Sequence, residues 1–208
     1  MKEYFFKIKY FDIGNIQKDI FFTEPLVYKG DYKAFNNGWS LNSSEKNALK
    51  IDYISFRFFE GRINEGQTPY ELSFYSNQKK IMSSMTGLVQ NDQFVFLHPP
   101  REKIFAKLEF SPFPLVRFPL EKNKVWKEKI TIPEQWSSDL MKWRGNLEIE
   151  FEYKITGREK RNYVIEAKSL NEKIKTSAIF YYNEEGFSKL IFNNYDKSRM
   201  IFELDNEK

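Results

Sequence analysis

The chain has 208 residues, 18% of them aromatic and 30% charged, with a net charge of +4, one histidine and no cysteine. This length suits a single domain able to bury a sizeable core, and the aromatic excess favours strands. The lack of cysteine excludes disulfides, thiol nucleophiles and thiolate metal sites. Because the 33 basic and 29 acidic residues are interspersed, a basic face of the kind that binds nucleic acid is not expected.

The first half of the chain carries several segments in which apolar and polar residues alternate, the pattern of strands with one buried face. The strands predicted there span residues 4–11, 51–59, 70–75, 79–85, 93–97 and 104–110. Pro25 interrupts the segment 20–28, which is therefore predicted to be an edge strand or a loop. The segment 61–69 contains two glycines, an asparagine and a proline, so a loop or a wide hairpin is expected.

Helix content is expected to be small. The best candidate is the segment 133–142, where Pro133 suits the first helical position and Gly145 follows the end. Its Ser-Ser centre is poor for a helix. The sequence therefore predicts one or two short helices.

The segment 146–204 is predicted to be an antiparallel meander. Its first strand, 146–155, alternates strictly, with apolar residues on one face and Glu148, Glu150 and Glu152 on the other, where lysines of the neighbouring strands are expected to pair with them. A turn is predicted at Gly157-Arg158. The later strands are expected at 163–168, 176–182, 188–192 and 200–204.

Together these patterns predict a mainly β fold, a single antiparallel and strongly bent sheet with one or two short helices. One β-rich domain is expected over residues 1–208, with N-terminal strands in 1–93, a motif-rich crossover segment in 94–145 and the C-terminal meander in 146–208. Three prolines make residues 112–119 a stiff, extended segment that cannot form a central strand.

Short motifs mark the middle and the end of the chain. They are LHPPR at 97–101, PFP at 112–114, FPL at 118–120, Trp126, Trp136, WRG at 143–145 and YYNEEGF at 181–187. Over residues 94–204 this series resembles a group of uncharacterised Bacteroidota proteins, often cell-envelope lipoproteins. The resemblance implies the half-barrel shape of lipoprotein carriers and no particular activity. This chain departs from the lipoprotein pattern because it lacks the lipid-accepting cysteine.

The start of the chain does not have the pattern of a signal peptide, because Lys7, Lys9 and Asp12 interrupt any apolar run. No stretch is long and apolar enough to predict a transmembrane segment. The resemblance implies the cell envelope, either periplasm or surface, if a signal segment has been removed; otherwise a cytoplasmic location is expected.

His98 and Arg101 are the first candidates for a ligand site. Pro99 and Pro100 stiffen the loop after a predicted strand, so both side chains are held on a rigid scaffold. Arg101 offers a planar fork for a carboxylate or phosphate, and His98 can donate or accept a hydrogen bond beside it. The alternative is that Arg101 simply pairs with a surface glutamate.

Trp126, Trp136 and Trp143 are the other ligand-binding candidates. They could stack on sugars or line an apolar pocket, or they could plug the open end of the β core. One histidine with scattered carboxylates gives no metal-ligand spacing. No metal, no cofactor and no catalytic residue is therefore predicted.

The leading hypothesis is a non-enzymatic binding or structural domain of the bacterial cell envelope. It would hold an apolar or amphipathic ligand, or a protein partner, in a concave aromatic face, with a lipid, a glycan or a protein as expected partner. Two alternatives stay open: a hydrolase or transferase using His98 with a nearby carboxylate, and a cytosolic scaffold domain. A pocket lined with aromatics and lacking convergent polar groups would favour the first hypothesis. A hydrogen bond from His98 to a carboxylate within such a pocket would favour the second, and a filled core without a cavity would favour the third.

Overall fold

The computed structural model describes residues 2–24, 38–61, 66–134 and 142–207. It is mainly β, with 59% strand and 5% helix. The strands are β1 Lys2–Phe11, β2 Gln17–Lys18, β3 Ile20–Thr23, β4 Trp39–Leu41, β5 Ala48–Lys50, β6 Tyr53–Phe58, β7 Gln67–Ser76, β8 Lys79–Gln90, β9 Phe94–Leu97, β10 Leu115–Arg117, β11 Val125–Ile132, β12 Leu147–Glu159, β13 Asn162–Ser169, β14 Ser177–Asn183, β15 Gly186–Asn193 and β16 Arg199–Leu204. A 3₁₀ helix spans Lys103–Phe110.

One large antiparallel sheet contains thirteen of these strands, in the order β10-β9-β8-β7-β6-β1-β16-β15-β14-β13-β12-β11, with β2 pairing on β1. The predicted mainly β, antiparallel fold is therefore confirmed. The sheet is not closed into a barrel, because its two edge strands, β10 and β11, do not pair with each other. A second sheet, in the order β4-β3-β5, shares no strand pairing with it but packs on it, with the Trp39 ring 4.9 Å from Phe74 of β7.

Strand β12 shows why these residues form strands. Its side chains alternate between buried and accessible along most of its length, and Phe151 is completely buried as the alternation predicts. The glutamates on the other face pair with lysines of the neighbouring strands, as expected. These pairs are Lys129–Glu148 at 3.0 Å, Lys127–Glu150 at 3.6 Å and Lys168–Glu152 at 3.0 Å.

The two edge strands face each other across a seam that side chains bridge. Arg117 of β10 forms an ion pair with Glu128 of β11, with 2.6 Å between Nη2 and Oε2. The Tyr153 hydroxyl donates to the Phe113 carbonyl oxygen at 3.1 Å, and the Lys124 ammonium donates to the Phe118 carbonyl oxygen at 2.8 Å. The segment 112–119 supplies an edge strand, in agreement with its prolines.

Aromatic residues make up much of the core between the strands and the 3₁₀ helix. Phe105 of the 3₁₀ helix is completely buried, and its ring lies 5.6 Å from Trp39, 5.4 Å from Phe74 and 6.2 Å from Phe202. The Phe180 ring, also completely buried, packs on Phe192. Phe105 of the helix thus joins rings of β7, β16 and the small sheet in one core.

Two local predictions are wrong. The segment 104–110 was expected to be a strand but forms the 3₁₀ helix, because Phe105 and Leu108, three residues apart, both enter the core. The turn expected at Gly157-Arg158 lies further on, at Lys160, whose φ is +53°. Strand β12 absorbs Gly157 in a bulge and continues to Glu159.

Other predictions are met only in part. Of the segment 20–28, residues 20–23 form strand β3 of the small sheet, and residues 25–28 lie outside the described residues. Most of the predicted helix 133–142 also lies outside them. In the described ranges no helix has the length and apolar character needed to cross a membrane.

Candidate functional site

Besides an open cleft of about 460 Å³ whose lining includes Lys7, Lys18 and Lys50, the described residues form two pockets that bear on ligand binding. The first, the polar pocket, is a cavity of about 270 Å³ lined by His98, Arg101, Glu109, Phe113 and residues 130–133. His98 follows the end of β9, Arg101 lies in the next loop and Glu109 is on the 3₁₀ helix. The pocket therefore lies at the seam, against the end of edge strand β11.

His98 is held as a neutral ring. Its Nδ1 lies 2.7 Å from the Pro99 carbonyl oxygen, so Nδ1 carries the proton and donates it to that oxygen. The Nε2 lone pair then accepts a hydrogen bond from the Arg101 guanidinium. Burial, reinforced by the Arg101 charge, lowers the pKa of His98 to about 3.

Glu109 faces the same guanidinium, with 2.8 Å between its Oε1 and Arg101 Nε. Its side chain is 13% exposed, and Oε1 lies 3.6 Å from His98 Nε2, beyond hydrogen-bond distance. Burial raises the pKa of Glu109 to about 7, although Arg101 opposes the rise. Arg101 therefore pairs with a largely buried glutamate instead of a surface one.

Trp126 and Trp143 are not among the lining residues of this pocket. Trp126 is buried on β11, where its ring stacks on Tyr153 at 5.4 Å. Trp143 donates its indole N–H to the Ile132 carbonyl oxygen at 3.2 Å and packs edge-on against Phe110. Trp136 lies outside the described residues. Of the predicted ligand-binding residues, the structure brings together only His98 and Arg101 within the part that it describes.

The second pocket, the aromatic pocket, is a cavity of about 320 Å³ at one end of the large sheet. Its aromatic walls are Tyr4, Phe6, Phe56, Phe58, Tyr182 and Phe187. Leu88, Val95 and Leu97 add aliphatic surface, and the polar lining residues are Lys2, Thr68, Gln90, Glu184 and Glu185. It is thus apolar inside, with polar residues contributed by several strand ends and one turn.

The aromatic pocket is built from the start of β1, the end of β6 and the β14–β15 hairpin. Rings from different strands contact one another at steep angles: Tyr4 and Phe58 lie 5.8 Å apart at 74°, and Tyr182 and Phe187 lie 5.1 Å apart at 70°. Gly186, with φ at +118°, forms the tight hairpin turn that a residue with a side chain would strain.

Sequence reasoning missed the aromatic pocket and Glu109. Glu109 was missed because its segment was predicted to be a strand. The aromatic walls had a signal, since Tyr4 and Phe6 alternate with polar neighbours and YYNEEGF places aromatics beside a turn. That signal does not say which strand ends meet, because the meeting depends on β1 pairing with both β6 and β16.

Within the described ranges, no group of three or more His, Asp or Glu residues is placed to hold a metal ion. Comparison of the chain with protein-family models, with curated proteins and with solved structures finds no match.

Proposed function

We propose that this protein is a non-enzymatic binding domain of the bacterial cell envelope that holds a small apolar or amphipathic ligand in the aromatic pocket. The observation that carries the proposal is the cavity of about 320 Å³, with aromatic walls and a few polar groups among its lining residues. Ligand sites are typically concave, mostly apolar and equipped with a small number of orienting polar groups.

A half-barrel shape like that of lipoprotein carriers belongs to the same proposal. It is supported by the thirteen-stranded sheet, whose edge strands β10 and β11 face each other across the seam. The ligand would enter from the end of the sheet, where the aromatic pocket lies.

The polar pocket gives less support to a hydrolase that uses His98 as a base. A base needs a free lone pair, and the Nε2 lone pair of His98 already accepts from Arg101 while Nδ1 donates to Pro99. The nearest carboxylate oxygen of Glu109 is 3.6 Å away, too far to orient the ring by a hydrogen bond.

The test is binding of N-phenyl-1-naphthylamine, an uncharged fluorescent probe that brightens in apolar surroundings. Val95 is buried in the pocket lining, and Val95→Phe would fill part of the cavity. We expect the variant to lose at least tenfold in probe affinity. Val125→Phe is the matched control, because the Val125 side chain is exposed on β11, and this variant should bind the probe as the wild type does.

Melting temperatures of both variants separate a filled cavity from a disturbed fold. Unchanged probe binding by a folded Val95→Phe protein would contradict the proposal, as would a wild type that binds no probe. The envelope location is tested separately, by immunoblotting of fractionated cells of the source organism, and is contradicted if the protein is found only in the cytoplasmic fraction.

A further inference from the structure

We propose that the aromatic pocket selects an organic cation, an amine or quaternary ammonium group carried on an apolar body. This inference rests on the proposed function and adds the chemical class of the ligand. It is carried by the juxtaposition, in one pocket lining, of six aromatic residues with the exposed acidic residues Glu184 and Glu185.

The rings provide walls that attract positive charge. The face of an aromatic ring is negative and its edge is positive, so a cation within about 6 Å of a ring face is attracted. Tyr4 and Phe58 meet at 74° and Phe6 and Phe56 at 44°, so neither pair of rings stacks in parallel. An enclosing set of rings is how proteins recognise quaternary ammonium groups.

The chain itself shows that a cation is attracted at this place. The Lys2 ammonium lies 4.8 Å from the centre of the Tyr4 ring, over its face. Lys2 is among the lining residues, so its ammonium competes with a ligand for the same aromatic surface. Removing the Lys2 charge is therefore expected to strengthen the binding of a cation.

The β14–β15 turn adds negative charge. Glu185 is paired with Arg161 at 2.9 Å, and its backbone carbonyl accepts a hydrogen bond from the Tyr4 hydroxyl at 3.1 Å. Glu184 is exposed and forms no ion pair among residues 2–24, 38–61, 66–134 and 142–207. Since Arg161 already pairs with Glu185, Glu184 is the carboxylate of the lining that can attract a positive ligand.

Three ligands of nearly identical shape test the charge preference. Benzyltrimethylammonium is a cation, neopentylbenzene is its uncharged isostere, and phenylmethanesulfonate is an anion of similar size. Each is titrated against the wild-type protein loaded with N-phenyl-1-naphthylamine. We expect the ammonium to bind roughly 3- to 30-fold more tightly than the isostere, the span of a cation–aromatic attraction, and the sulfonate to bind most weakly.

The outcomes separate this inference from the proposed function. If the probe binds and the three ligands displace it equally, or the sulfonate does so best, charge selection is overturned while the binding function stands. If neither the probe nor any ligand binds, the proposed function fails as well.

Variants locate the source of the preference. Glu184→Gln should weaken ammonium binding several-fold and leave neopentylbenzene unchanged, whereas Lys2→Gln should strengthen ammonium binding. Glu172→Gln is the matched control: this exposed residue lies in the β13–β14 connection, at the opposite end of β14 from the hairpin turn. Equal weakening of both ligands by Glu184→Gln would mean a structural effect and would overturn the assignment of charge selection to this residue.

Discussion

The polar pocket and the aromatic pocket differ in how their polar and charged groups are arranged. In the polar pocket the polar groups contact one another, since Arg101 forms an ion pair with Glu109 and a hydrogen bond with His98. In the aromatic pocket six lining residues are aromatic, and the charged ones, Lys2, Glu184 and Glu185, are exposed. The comparison teaches that strongly shifted pKa values, as in the polar pocket, can mark an internal ion pair instead of a ligand site.

The largest expected effect on stability comes from removing a core ring. Two such rings can be compared, one that contacts a wall of the aromatic pocket and one that does not. Phe180 and Phe151 are both completely buried, but only Phe180 contacts Phe187, a wall of the aromatic pocket, at 6.2 Å. Each change to Ala should lower the free energy of unfolding by about 3–5 kcal/mol. Urea melts measure this loss.

Probe binding then distinguishes the two variants. Binding is measured without urea, at a temperature where both variants are folded. Phe180→Ala should bind N-phenyl-1-naphthylamine more weakly than the wild type, and Phe151→Ala should bind it as the wild type does. Equal binding by the two would show that Phe187 does not depend on Phe180 for its position.

The next largest effect on stability is expected from breaking the ion pair of the polar pocket. Arg101→Gln leaves the buried Glu109 carboxylate without its cation, so the carboxylate should be costly when ionised. We expect a loss of about 2 kcal/mol at pH 8 and under about 1 kcal/mol at pH 5, where Glu109 is protonated. A loss that is the same at both pH values in urea melts would show that Arg101 acts through packing alone.

The polar pocket should also make two opposing contributions to the pH dependence of stability. The pKa of Glu109 is raised to about 7, so its contribution is present at low pH and is lost as the pH rises from about 4.5 to 7. The pKa of His98 is lowered to about 3, so its contribution is present above about 6.5 and is lost as the pH falls toward 3. Between pH 4.5 and 6.5 the two nearly cancel.

Single substitutions should reveal each contribution as a slope of the unfolding free energy against pH. Relative to the wild type, His98→Gln should lose stability as the pH rises through this window, and Glu109→Gln should gain it, each by at most about 1.4 kcal/mol per pH unit. Unfolding free energies at half-unit intervals provide the measurement. Slopes of the same sign would contradict the assignment of opposite shifts.

The smallest expected effect concerns the Tyr4 hydroxyl in the aromatic pocket. Tyr4→Phe keeps the ring and removes one exposed hydrogen bond to the Glu185 carbonyl oxygen. Stability should fall by no more than about 0.5 kcal/mol. Tyr4→Phe should change the affinity for benzyltrimethylammonium less than twofold, whereas Tyr4→Leu, which removes the ring, should lower it several-fold. Calorimetric titration measures both affinities. Equal losses in the two variants would contradict a role for the ring face.

How far the sequence predicts this molecule depends on whether a signal is local. Alternation in the segment 146–155 predicts the strand, its buried face and its lysine partners, because strand side chains follow a period of two. The segment 104–110 also alternates, yet burial of Phe105 and Leu108 in the core requires a helical turn. His98 and Arg101 were predicted as neighbours from a short loop, but their partner Glu109 and the aromatic pocket arise from contacts between distant strands.

The pairing of β1 with β16 carries a consequence for synthesis of the chain. Residues Phe6 to Phe11 of β1 pair with Leu204 to Arg199 of β16, about 190 positions later. At a translation rate of about 5–20 residues per second, this part of β1 waits roughly 10–40 s for its partner. During that wait β1 presents an unpaired edge in the middle of the future sheet, so the nascent chain depends on whatever shields that edge on the ribosome.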